Sequence, residues 1–304
     1  MEYLHNNKQL FIDILEACSY HMGMNRAIIE KDYYVTLLLR KIVEKCPEVI
    51  FKGGTSLSKC HKKIFRFSED IDLGLNVDKA TQSMRKNLKY QIIEAIKELN
   101  FILENEDHIY TRRDFNRYQV QYPFLEENVS LKPFLYVETA LFLKPFPFEI
   151  KQADSYIYRF LKEKNQSEII EKYNLFPFEV KVQTIDRTFI DKLFALGDYY
   201  LIGKTMGYSR HLYDLYKLFD DIIFDDLFYE LFNEFQKVRA QDSDCPSAKT
   251  DQNLKQLLKE ICDKDFYKKD YENMTTELLF EKVTYQTTKD NLMRIIELLK
   301  DENQ

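Results

Sequence analysis

The chain has 304 residues, a formal net charge of −6, 45% hydrophobic and 31% charged residues. That balance predicts a soluble globular protein with material for two domains or one large one. It argues against generic nucleic-acid binding by the whole surface, and no apolar run approaches the ~20 residues of a membrane helix. The opening Met-Glu-Tyr-Leu-His-Asn-Asn has neither the basic nor the apolar region of a secretory signal. Five scattered cysteines (Cys18, Cys46, Cys60, Cys245, Cys262) form no Cys-x-x-Cys, which points to a reducing, cytoplasmic setting without a zinc site.

Taken in order, residues 7–20 and 26–46 read as helices. The second carries Ile28, Ile29, Tyr33, Leu37, Leu38 and Ile42 near a 3.6-residue period. Residues 48–51 form a short predicted strand leading into Gly53-Gly54. Thr55 or Ser56 is a natural N-cap for the next helix. On that helix Lys59, Lys62, Lys63 and Arg66 would share one face, either as a solvated surface or as a guide for a triphosphate or RNA backbone. Residues 70–77 read as a strand and 78–100 as a helix with Leu88, Ile92, Ile93 and Ile96 as its apolar stripe. Strands at 101–103, 117–122 and 131–143 then suggest an antiparallel meander, with a turn at Glu126-Glu-Asn-Val. After Pro145 and Pro147 the pattern becomes helical: 155–164, 167–174, 184–200, 209–219, 224–239, 250–263 and 275–300. The expected architecture is α+β, a mixed sheet with flanking helices (1–150) followed by an α-helical domain (151–304).

The chemistry concentrates between Lys52 and Leu73. Strand side chains alternate, so Asp70 and Asp72 point the same way with Ile71 opposite. Two like charges so close call for a compensating cation, and oxygen-only ligands suit Mg2+, which is commonly shared with substrate phosphates. Gly53 and Gly54 allow backbone to approach a ligand closely, and a helix N-terminus offers free N–H groups to an anion. A turn followed by a solvated acidic pair would be the plain reading of each part; their order and spacing favour a phosphate cradle facing a metal pair. Downstream, Lys192 lies at the edge of a stripe made by Ile185, Phe189, Leu193 and Leu196. It reads as a boundary lysine whose ammonium can reach into a cleft. Arg210 and Asp214 are spaced as an i,i+4 ion pair, and Ser209 is a candidate N-cap. His211 reads as a packing residue, and His5, His21, His61 and His108 show no ligand spacing.

Lys52-Gly-Gly-Thr-Ser-Leu57 and Phe67-Ser-Glu-Asp-Ile-Asp-Leu73, with Asp191-Lys-Leu-Phe-Ala195 and Arg210-His-Leu-Tyr-Asp-Leu215 downstream, resemble the nucleotidyltransferase core of the DNA polymerase β superfamily. Within it they resemble the AbiEii/AbiGii toxins of bacterial abortive-infection toxin–antitoxin systems, over roughly residues 25–220. The resemblance implies Mg2+-dependent transfer of a nucleoside monophosphate from an NTP to an acceptor hydroxyl, with the 3′ end of tRNA as first choice of acceptor and a block of translation as the result. It implies Asp70, Asp72 and Glu138 as metal carboxylates. Lys52, Gly53, Gly54, Thr55, Ser56, Ser68 and Lys192 would contact the nucleotide, and Asp214 is marked as needed for activity, orienting Lys192 or an acceptor hydroxyl. Without the resemblance Glu138 would read as a solvent-facing strand residue. A small-molecule or protein-modifying nucleotidyltransferase is the alternative, and a silent module that only pairs with an antitoxin is the third. A cognate antitoxin is the expected partner, no membrane is, and the default state is a monomer.

Overall fold

A computed structural model describes residues 2–112, 114–125 and 134–300. The chain divides into two compact units, one of Met1–His61 and Ser68–Val182, the other of Lys62–Phe67 and Gln183–Gln304. The architecture is the α+β arrangement expected.

In the first unit, α1 (Lys8–Met22) and α2 (Arg26–Lys45) come first, each started by an asparagine side chain that accepts a backbone N–H: Asn7 from Leu10, Asn25 from Ala27. β1 (Val49–Lys52) runs directly into α3 (Gly53–Lys59), followed by β2 (Ile71–Leu75) and α4 (Gln82–Glu98). Then come β3 (Ile102–Leu103), β4 (Tyr110–Arg112), β5 (Phe115–Gln121), β6 (Phe134–Ala140), β7 (Phe148–Ala153), α5 (Tyr156–Glu163), α6 (Ser167–Lys172) and β8 (Phe178–Gln183). The sheet order is β3-β5-β6-β2-β1-β8-β7, with β4 added to β5. It is mixed: β1 runs antiparallel to β2 and parallel to β8, β2 parallel to β6, and β5 antiparallel to β6.

Alternation along the strands sorts core from site. Ile71, Leu73 and Leu75 of β2, Leu135 and Val137 of β6, and Tyr118 and Val120 of β5 are buried in the apolar core with α1, α2 and α4. Asp72, Glu138 and Arg117 fall at the intervening positions and therefore on the other face. α2 buries Ile29, Tyr33, Tyr34, Val35, Leu38, Leu39 and Ile42, and with them the polar Glu30, Lys31 and Thr36, so its middle is enclosed by its neighbours.

The second unit is built on α7 (Ile185–Leu201) and α8 (Arg210–Leu218), with α9 (Asp226–Arg239), α10 (Leu254–Asp263) and a last long helix, Tyr285–Leu298. Phe189, Leu193 and Leu196 are fully buried, as the stripe on this helix predicts.

Several expectations are corrected. The units part between Val182 and Gln183 rather than near residue 150, because two strands lie beyond Pro147 and β8 pairs with β1 inside the sheet. β8 shows the two-residue alternation, Val180 and Val182 buried and Glu179 exposed; β7 does not. The helix expected at 275–300 is interrupted, since Leu278–Phe280 pairs as extended chain with Phe65–Phe67: Phe67 N donates to Leu278 O at 2.8 Å and Phe280 N to Phe65 O at 2.9 Å. That pairing is why six residues from the first third of the sequence belong to the second unit. Glu126-Glu-Asn-Val and residues 131–133 of the expected third strand lie outside the described residues.

Candidate active site

α3 opens one turn earlier than expected. Gly53 is its first residue and Lys52 occupies the N-cap position without a side-chain bond, so Thr55 and Ser56 lie inside the helix and are fully buried. Their hydroxyls are engaged within the protein. Ser56 Oγ donates to Gly53 O at 2.8 Å, and Thr55 Oγ1 shares a 2.9 Å hydrogen bond with Ser68 Oγ. What the turn can offer a phosphate is backbone, because the first N–H groups of a helix have no intrahelical acceptor.

The basic stripe does not form. α3 stops at Lys59, whose ammonium is buried against Asp32 at 2.5 Å. Lys62 has a left-handed φ of 59°, Lys63 pairs with Asp221, and Arg66 is buried in the second unit. A helix of two turns cannot carry a face as long as the run of basic residues.

Asp70 sits just before β2, at the strand entry, and Asp72 within it. Asp72 is register partner to Lys52 on one side and Glu138 on the other. Gly53 has φ +76°, and a Cβ built on it would lie 2.1 Å from Asp72 Oδ2. The carboxylate thus rests against the glycine turn, in space that any other residue would fill. Replacing Gly53 by Ala is expected to strain the backbone by about 1–3 kcal/mol. It also displaces the Asp72 carboxylate by about 1 Å, and displacement on that scale slows an active-site reaction about 10²-fold. Single-turnover transfer rates and melting curves of Gly53→Ala measure the two effects separately.

Glu138 is held by Arg117, its register partner on β5, through a 2.6 Å bond from Nε. Burial works against the Arg117 charge, but Glu138, Tyr136 and Asp70 outweigh it and raise the guanidinium above its usual range. Asp70 and Glu138 therefore act on one cation, a residue whose part the sequence did not reveal. Arg117 stands out only once β5 is seen to neighbour β6. Among the described residues no three His, Cys, Asp or Glu side chains gather as a ready ion cage. The donor set still fits Mg2+: oxygen-only carboxylates at Asp70 and Asp72 beside a turn open to phosphate, for an ion bound by one or two carboxylates plus substrate oxygens.

In the second unit, Asp214 is completely buried. Its Oδ1 accepts from Arg66 Nε at 2.6 Å, and its Oδ2 from Arg66 Nη2 at 2.8 Å and Lys192 Nζ at 2.5 Å. The expected partner Arg210 is replaced by Arg66, whose Nη1 also donates to Phe67 O; of the two groups that Asp214 was expected to orient, Lys192 is in hydrogen-bond contact with it. Burial pushes the Asp214 carboxyl up, yet Arg66 and Lys192 together hold it well below the ordinary carboxylate range. Burial lowers Lys192, with Asp214 opposing. Two basic side chains thus share this one buried carboxylate. His211 is kept neutral by burial and by Lys192 and Arg210, and its ring lies parallel to Tyr199. Ser209 occupies the cap position of α8 without a side-chain cap bond; Asp270 holds the chain just before the helix by accepting from Gly207 N and Ser209 N.

The model of the Nucleotidyl transferase AbiEii toxin family, from type IV toxin–antitoxin systems, matches residues 36–291. The chain belongs to the AbiEii toxin family. Among solved structures it is similar to MenT4, a nucleotidyltransferase toxin from Mycobacterium tuberculosis H37Rv, with 17% identity and a TM-score of 0.54 over 95% of this chain and 91% of that one. That likeness shows the fold. None of the curated proteins matches the sequence. As an AbiEii protein the chain is a nucleotidyltransferase and the toxin of a toxin–antitoxin pair. No helix among the described residues is long and apolar enough to cross a membrane.

Proposed function

We propose that this AbiEii toxin transfers a nucleoside monophosphate from an NTP to a hydroxyl at the 3′ end of tRNA, with Mg2+ as cofactor, and so blocks translation. The observation that carries the reading is the seating of the Asp72 carboxylate against Gly53, which sets a metal-type acid and a phosphate-type turn side by side. Mg2+ bound at Asp70 and Asp72 would neutralise phosphate charge and acidify the attacking hydroxyl. Backbone N–H groups from Gly53 to Ser56 receive the triphosphate oxygens, with Lys52 beside them on the Asp72 face. The acceptor oxygen forms a bond to the α-phosphorus as the bond to the bridging oxygen breaks; pyrophosphate leaves and the hydroxyl proton passes to water. Glu138 serves as the third carboxylate, with Arg117 setting its orientation. Lys192 and Asp214 are assigned as activity residues by the family motif.

Incubating the purified protein with each α-labelled NTP, Mg2+ and total RNA tests this. Label is expected in tRNA-sized RNA at the 3′ end, lost on adding a chelator. Label in protein or in small molecules, with none in RNA, would replace the proposed acceptor.

A further inference from the structure

Three consecutive charged residues in the middle of α2, Glu30, Lys31 and Asp32, are held inside the first unit. Glu30 is 4% and Lys31 0% exposed, and the Asp32 side chain 11%. Successive helix positions are 100° apart, so a charged triplet would ordinarily reach water on at least one side; here each member meets a different piece of chain. Glu30 Oε1 accepts from Leu125 N at 2.8 Å. Lys31 forms an ion pair with Glu69, the residue immediately before Asp70. Asp32 Oδ1 accepts from Lys59 Nζ at 2.5 Å, and its Oδ2 from Tyr156 N at 2.8 Å. Lys59, the last residue of α3, spends its three donors on Asp32 Oδ1, Asp32 O and Thr36 Oγ1, all in α2.

Lys59 and Glu69 are the two ends of the excursion that joins the glycine turn to the carboxylate strand. Neighbouring residues of α2 grip them with opposite charges, Asp32 the lysine and Lys31 the glutamate. A buried charge is tolerated only with a partner, so both contacts resist any drift of α3 or of the Ser68–Asp72 segment.

We propose that Lys31 and Asp32 are positioning residues that clamp α3 and the Asp70–Asp72 segment to α2, and so set the geometry with which the two carboxylates hold a divalent ion. The inference rests on the assignment of Asp70 and Asp72 as the ion-holding pair. The clamp contacts no substrate; it acts through Glu69 and Lys59, as outer partners orient metal ligands elsewhere.

The test uses the full chain carrying Lys31→Met together with Glu69→Gln, which removes both charges of one arm at similar volume. Mn2+ affinity is measured by electron paramagnetic resonance without nucleotide, and half-saturating Mg2+ is measured in the transfer reaction. Both are expected to weaken about 10–100-fold, while the far-UV circular dichroism and cooperative melting stay those of a folded protein. Unchanged Mn2+ affinity in the folded double variant overturns the proposal. Should that variant not fold, Glu69→Gln alone, at a partly exposed side chain, is read in the same two assays with the same criteria. Asp70→Ala is run in parallel. If it binds Mn2+ like the wild type, the carboxylate assignment fails and the clamp with it. If it loses Mn2+ while the clamp variant does not, only the clamp fails.

Discussion

Asp72→Ala is expected to lower the transfer rate about a thousandfold, the equivalent of roughly 4 kcal/mol of barrier, with Asp70→Ala close behind. The size follows from the role. A carboxylate that places a divalent ion against the triphosphate is replaced by nothing, since Glu138 is already engaged by Arg117 at 2.6 Å. Stability should change far less. Asp70 and Asp72 are half-buried like charges one residue apart, and the repulsion relieved on removing either is offset by the loss of that carboxylate's own interactions, Arg117 among those of Asp70. The melting temperature is expected to stay close to that of the wild type. Transfer rates and thermal unfolding on the same preparations check both halves. A folded Asp72→Ala enzyme that labels RNA at the wild-type rate would remove the basis of the proposed mechanism.

The largest loss of stability is expected from Asp214→Ala. It strands the buried cations of Arg66 and Lys192, side chains 2% and 6% exposed, and breaking a buried ion network from one side costs about 3–5 kcal/mol. Because Arg66 carries the 65–67 segment into the second unit, the damage reaches the pairing with Leu278–Phe280. Replacing all three groups by apolar residues (Arg66→Met, Lys192→Met, Asp214→Leu) should restore the urea midpoint while transfer stays absent, which separates holding the fold from serving the reaction. The pH dependence has a definite sign. Arg66 and Lys192 hold the folded carboxyl below its unfolded value. Its stabilisation is therefore complete above the ordinary aspartate pKa of about 3.9 and is lost progressively as pH falls from there through the lower folded value. Urea midpoints followed down the acid range should fall steeply below about pH 4 in the wild type and less steeply in the apolar triple variant, which keeps the protein's other ion-paired carboxylates.

Much of this was legible in the sequence. Gly53-Gly54 and Asp70-Ile71-Asp72 stand out because local spacing alone sets backbone freedom and strand face: Gly53 takes the positive φ and Asp72 the face opposite Ile71, while Asp70 falls just before the strand. The buried stripe around Lys192 was legible for the same reason: Phe189, Leu193 and Leu196 follow the helical period. What failed were inferences that extended a local pattern past its element. The basic stripe assumed that α3 continues to Arg66, whereas it stops at Lys59. The helix assumed over 275–300 ignored a strand-like partner more than two hundred residues upstream in sequence. Thr55 and Ser56 have the right chemistry for a cap but lie inside the helix, with their hydroxyls turned to Ser68 and Gly53.

By itself the sequence determined which reactive groups exist and how those close in the chain are oriented, because helix and strand periodicity is a property of the local backbone. The tertiary structure decided who pairs with whom: Arg66 rather than Arg210 with Asp214, Arg117 with Glu138, Lys31 and Asp32 with Glu69 and Lys59. A charge taken out of water needs a partner of opposite sign. Which one it meets depends on strand order and helix packing, neither of which is written in the spacing of neighbouring residues.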